Sequence, residues 1–230
     1  MNASTSVETT AYYARVLKSD VGLGLDILGD ILRNSVFDAQ ELEREKHVIL
    51  QEIGAARDTP DDLVYDMFSE AAYPGQAIGR TILGTPETVS VAEPRMLRRY
   101  LERHYRGPTM FVAGAGAIEH DLLVDRAARW FGDVDAGPAP AHAPARYVGG
   151  DAHEPRDLME TQIMIGFEGV SYASDDFYTA QLLAGLLGGG MSSRLSQEVR
   201  EKRGLCYSIY AFHWSFADSG IFGVHTATGP

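Results

Sequence analysis

The sequence predicts an α+β protein organised as two units, and three observations carry that prediction. Segments with apolar residues three and four apart alternate with short β-branched and aromatic runs. Pro138, Pro140, Pro144 and Pro155 stand among alanine and glycine, a linker composition that divides the chain. With 230 residues, 45% of them hydrophobic, the chain can bury roughly one to two cores. The expected partition is a first unit over 1–136, a linker over 137–157 and a second unit over 158–230.

The elements follow in order. Residues 7–17 are rich in Val, Thr and Tyr and read as strand, after a Ser/Thr segment that is also extended. Val21, Leu25, Leu28 and Leu32 recur at helical spacing, and Asn34-Ser35 end that run. Asp38 with Glu41 three residues later fits a capping box for a helix over 39–56, which Asp58-Thr59-Pro60 stops. Helices are predicted over 61–72, 94–105 and 120–131, with a Gly/Pro-rich loop from Gly75 to Pro86 and a buried strand over 109–116. Beyond the linker come a strand over 161–167, helices over 176–187 and 192–202, and strands over 207–216 and 221–226.

Composition narrows the function. A formal net charge of −12 argues against nucleic acid, whose phosphates need clustered Lys and Arg. The single cysteine, Cys206, excludes an internal disulfide and leaves the redox compartment open. No apolar run reaches the roughly 18–20 residues that span a bilayer. The opening Met1-Asn2-Ala3-Ser4-Thr5 is polar and carries no basic and apolar signal pattern, so any signal is expected upstream of it. Localisation stays open, with the cytoplasm favoured over the periplasm or an organelle.

The helix over 39–56 holds the main chemistry. Leu42, Glu45, Ile49, Glu52, Ile53 and Ala56 lie three, four and seven apart and are expected to share one face, with two carboxylates inside an apolar stripe. A buried carboxylate needs a cation, a metal, a hydrogen-bond donor or a proton. An ion pair with an arginine, or a wet edge to the stripe, satisfies the same pattern. The seven histidines include no i, i+4 pair on a helix, so the chain has no complete zinc motif. His47 falls off the Glu45 face and is expected to be exposed.

The string Glu45-Lys46-His47-Val48-Ile49-Leu50-Gln51-Glu52 resembles the downstream half of the active site in the pitrilysin, insulinase and mitochondrial processing peptidase family. In those zinc metallopeptidases a helix bearing His-x-x-Glu-His is completed by a glutamate roughly 75 residues later. The resemblance makes Glu52 the third zinc ligand and Glu45 a supporting catalytic glutamate. Asn2-Ala3-Ser4-Thr5, with Glu8 and Thr10-Ala11-Tyr12-Tyr13, is similar to the family's substrate-pairing edge strand, which puts Asn2 and Ala3 at the substrate. Gly188-Gly189-Gly190 resembles its glycine loop, a further substrate contact. Arg200 and Tyr207 match its Arg/Tyr pair, which reaches substrate carbonyls or the tetrahedral intermediate. Read without the family, Arg200 is a solvated helix charge and Tyr207 a core strand residue.

Several expectations follow from the resemblance. Each unit is a mostly antiparallel sheet with helices packed on it, the two are homologous, and the second is incomplete. The activity is zinc-dependent endopeptidase action on peptides or unfolded precursor proteins, by a dimer or a paired subunit. The chain is expected to be a fragment of a longer reading frame, inactive alone because the two histidine ligands lie upstream. The alternative is a catalytically inactive structural or partner subunit of the same family; a coincidental α/β binding domain is a third reading.

Overall fold

The computed structural model describes residues 1–138 and 140–229. Ala139, in the expected linker, and Pro230 lie outside the described residues. The fold is α+β, with two small antiparallel sheets and, in chain order, helices before, between and after their strands. Contacts divide it into one compact unit of residues 1–50 and 86–142 and another of 51–85 and 143–230. That division does not follow the linear boundary expected at 137–157, because residues 51–85 pack with the later part of the chain.

In the first unit, β1 (Asn2–Thr5) pairs antiparallel with β2 (Thr10–Tyr13), so the strand read over 7–17 is a short hairpin arm. α1 (Val21–Arg33) crosses α6 (His120–Phe131) at Gly29, where a Cβ would lie 2.3 Å from the Trp130 ring. The Trp130 indole N–H donates to Asp26 at 3.0 Å. That bond, with the nearby Arg126 charge, holds the Asp26 carboxyl below its usual range. α4 (Pro86–Ser90) and α5 (Pro94–His104) complete this unit's helices.

The strand expected over 109–116 is absent. After a 3-10 turn at Gly107–Thr109 the segment runs without ladder partners among the described residues, and Phe111 is 92% exposed. Apolar, β-branched residues favour a strand only where a neighbour pairs with the backbone.

α2 (Ala39–Asp58) begins as expected, with the Gln40 and Glu41 N–H groups donating to Asp38 Oδ1 at 2.8 and 3.1 Å. The reciprocal half of the box is missing, since the Glu41 carboxylate takes Arg44 at 2.6 Å instead.

The second unit is built on a sheet of order β3–β5–β4, from β3 (Thr161–Glu168), β4 (Ser208–Ser215) and β5 (Gly220–Thr228). Register places Met164, His225 and Tyr210 on one face and Ile165, Val224 and Ala211 on the other. α3 (Pro60–Ala72) packs Tyr65 and Phe68 on the first face, against Trp214, Phe212 and His225. The core centres on Tyr73 and Ile221, 1% and 0% exposed, and the Tyr73 hydroxyl donates to the Gly220 carbonyl at 3.0 Å. α7 (Phe177–Gly188) covers the other face at β4.

Two imidazoles are buried in this sheet. His213 Nε2 accepts the Val170 N–H at 3.1 Å, which requires that nitrogen to be unprotonated. His225 stacks on Tyr65 and faces Gln162 at 3.0 Å, with Asp61 and Tyr210 nearby. Burial pushes both pKa values below the ordinary 6.5. The unfolded chain therefore binds protons more readily than the folded one. The associated stability is complete above pH 6.5 and is lost as the pH falls towards the lowered folded values. The urea midpoint is expected to drop between about pH 7.5 and about pH 5.5, and His225→Gln to flatten that slope. An unchanged slope in His225→Gln would remove His225 from this account.

Candidate active-site elements

Glu45 and Glu52 lie two turns apart on α2, about 10 Å along its axis. The inward stripe of this helix is Leu42, Lys46, Ile49, Ile53 and Ala56, with Lys46 and Ile53 buried and the others half-buried, and both glutamates are exposed on its flank. The expectation of carboxylates inside the stripe is thus corrected, since each precedes a stripe residue by one position, a turn of about 100°. The charge that does enter the stripe is Lys46, 9% exposed, which donates to Glu43 at 2.6 Å and to the Ser90 carbonyl at 3.2 Å. His47 is exposed as expected.

Among the described residues neither Glu45 nor Glu52 forms an ion pair or a side-chain hydrogen bond, whereas Glu41 and Glu43 on the same helix are paired. No arginine among the described residues pairs with either. No group of three His, Cys, Asp or Glu side chains among the described residues could hold a metal ion. The residues present consequently do not make a complete zinc site, which needs three protein ligands; Glu52 could supply one.

Arg200 and Tyr207 are brought together, the guanidinium carbon 5.7 Å from the ring centroid. Tyr207 is 81% exposed, so it is not a core strand residue. Arg200 also donates to Glu201 at 3.0 Å. The α-helix expected over 192–202 is instead a π-helical turn at Ser196–Glu201, a geometry frequent at functional sites.

The three glycines separate. Gly188 is buried where α7 crosses β4, and a Cβ there would lie 2.1 Å from the Ala211 nitrogen. Its expected place at the substrate is corrected: close helix–strand packing takes it up. Gly189 and Gly190 are exposed. Gly188→Ala is expected to destabilise the fold by about 1–3 kcal/mol, because the neighbouring atoms are backbone and cannot yield. Gly190→Ala meets open space and should stay within about 0.5 kcal/mol. Urea unfolding of the two variants measures the difference.

Asn2 and Ala3 lie exposed on β1, whose second edge is unpaired among the described residues. A cavity of about 790 Å³ opens in the second unit, lined by Ile53, Arg57, Tyr73, Arg80, Glu154 and Arg156 among others, and no predicted site residue reaches it. The Gly79–Gly84 string contributes to its wall.

The unpaired Glu45 and Glu52, the open-edged β1 and the contact between Arg200 and Tyr207 are the features by which the sequence resembles a metallopeptidase family. Family models agree: residues 1–86 match "Insulinase (Peptidase family M16)" and residues 93–230 match "Peptidase M16 inactive domain". The chain belongs to the peptidase M16 family. An uncharacterized zinc protease of Rickettsia felis is 40% identical over 228 residues, covering 99% of this chain and 55% of that protein. The chain thus spans about half the length of the curated relatives it matches. A chain of complex III from Candida albicans superposes with a TM-score of 0.88 at 20% identity, covering 100% of this chain and 57% of its own. A protease from Helicobacter pylori gives 0.88 at 18% identity, with the same coverage of each chain. The two solved structures support the fold class.

Proposed function

We propose that this chain is part of a zinc-dependent endopeptidase that cleaves peptides or unfolded precursor proteins. The carrying observation is that Glu45 and Glu52 share a flank of α2, exposed and without partners among the described residues, while Glu41 and Glu43 of that helix are paired. In this reading Glu52 offers one metal ligand and Glu45 supports it from behind, with the two histidine ligands supplied from outside these 230 residues. When bound, zinc would polarise the scissile carbonyl and activate water. This chain's own contribution is to hold the substrate. The open edge of β1 at Asn2 and Ala3 pairs with an extended peptide backbone, Gly189 and Gly190 allow close approach, and Arg200 and Tyr207 donate hydrogen bonds to substrate carbonyl oxygen. The working form is a dimer or a paired subunit.

The genomic frame upstream of Met1 tests the reading. An in-frame His-x-x-Glu-His roughly 75 residues before Glu52, with one zinc retained per complete chain, would support it. A degraded motif in an open frame would replace it with the inactive partner subunit.

A further inference from the structure

The end of the π-helical turn at Ser196–Glu201 restricts where Arg200 can point. Lys202 N–H donates to the Gln197 carbonyl at 3.1 Å, Gly204 N–H to Arg200 at 3.0 Å and Leu205 N–H to Val199 at 3.2 Å. The last two correspond to the two bonds of a Schellman ending, each one residue wider than after an α-helix, as the wider π turn requires. Such an ending needs a left-handed residue, and Gly204 supplies it at φ +61°. Just beyond, the Leu205 carbonyl accepts the Thr228 hydroxyl at 2.7 Å, which ties the returning chain to β5 before β4 begins. The backbone is held on both sides of the reversal, with Arg200 before it and Tyr207 after it.

We propose that Gly204 is a positioning residue, whose left-handed conformation sets the Arg200 guanidinium against the Tyr207 ring so that both face a bound peptide backbone. The peptide part of this statement rests on the proposed endopeptidase reading. Space is not the constraint, because a Cβ at Gly204 would meet no atom within 4 Å. Only the backbone angle resists a side chain. Alanine is disfavoured in that region, whereas asparagine enters it several-fold more readily than other non-glycine residues. The two substitutions therefore separate conformation from bulk.

The test uses the 230-residue chain labelled with nitrogen-15 at arginine. With the guanidinium over the ring, the Tyr207 ring current is expected to displace the Arg200 side-chain signal upfield, and Tyr207→Leu to give the undisplaced position. Gly204→Ala is expected to move the Arg200 signal to that position, while Gly204→Asn keeps it near wild type and the other arginine signals stay in place. An Arg200 signal unmoved in Gly204→Ala overturns the proposal, as does its equal loss in Gly204→Asn. In the complete zinc-loaded protein, Gly204→Ala should lower kcat by about tenfold or more with little change in KM, and Gly204→Asn should restore it. If the signal moves as expected but neither Gly204→Ala nor Arg200→Ala alters cleavage, Gly204 still positions Arg200 and it is the peptidase reading of that pair that fails.

Discussion

Glu52→Gln, introduced into the complete gene product, is expected to reduce zinc affinity and peptide cleavage together by more than about 100-fold, with the fold retained. The magnitude follows from comparison with supporting residues, whose loss costs about 10–100-fold in metal affinity or activity. Removing a direct ligand exceeds that range. Glu45→Gln belongs within it. Because both side chains are exposed and unpaired, neither substitution breaks a packing contact or an ion pair, so the unfolding midpoint should hold within about 0.5 kcal/mol. Metal content by atomic absorption, read beside urea unfolding, separates ligand loss from misfolding. Full zinc occupancy in Glu52→Gln would refute the ligand assignment.

Arg200→Ala is expected to lower kcat by about 10²–10³-fold while leaving zinc content unchanged, the size of effect seen when one donor to a developing oxyanion is removed. Tyr207→Phe isolates the hydroxyl, since it keeps the ring under the guanidinium and removes only the donor. Its expected loss is smaller in KM than in kcat, because an interaction made mainly in the transition state shows in kcat. Steady-state kinetics on a fluorogenic peptide decides the case. A purely KM-based loss for Arg200→Ala would make it a ground-state binding residue.

The helices were the most legible part of the chain. α1, α2, α3, α5, α6 and α7 fall within a residue or two of the expected spans, because apolar spacing and breakers such as Asp58-Thr59-Pro60 act locally. The strands of the second sheet were equally readable from β-branched runs. Residues 109–116 carry the same local signal yet form no strand, because a strand depends on a partner that its own sequence does not contain. The Arg200/Tyr207 pair was found through resemblance, and the seven-residue spacing alone does not announce it.

By itself, the sequence determined the α+β class, the helix spans, the family and the residue types of the candidate site, since all are written in local patterns and motifs. Tertiary structure alone decided that Lys46 and not a glutamate enters the α2 stripe, and that Gly188 is taken up by the α7–β4 crossing. It also decided that residues 192–202 end in a π turn closed at Gly204, and that 51–85 pack with the second sheet. Each of these depends on which surface arrives from elsewhere in the chain, a property of long-range packing that no local window of sequence contains.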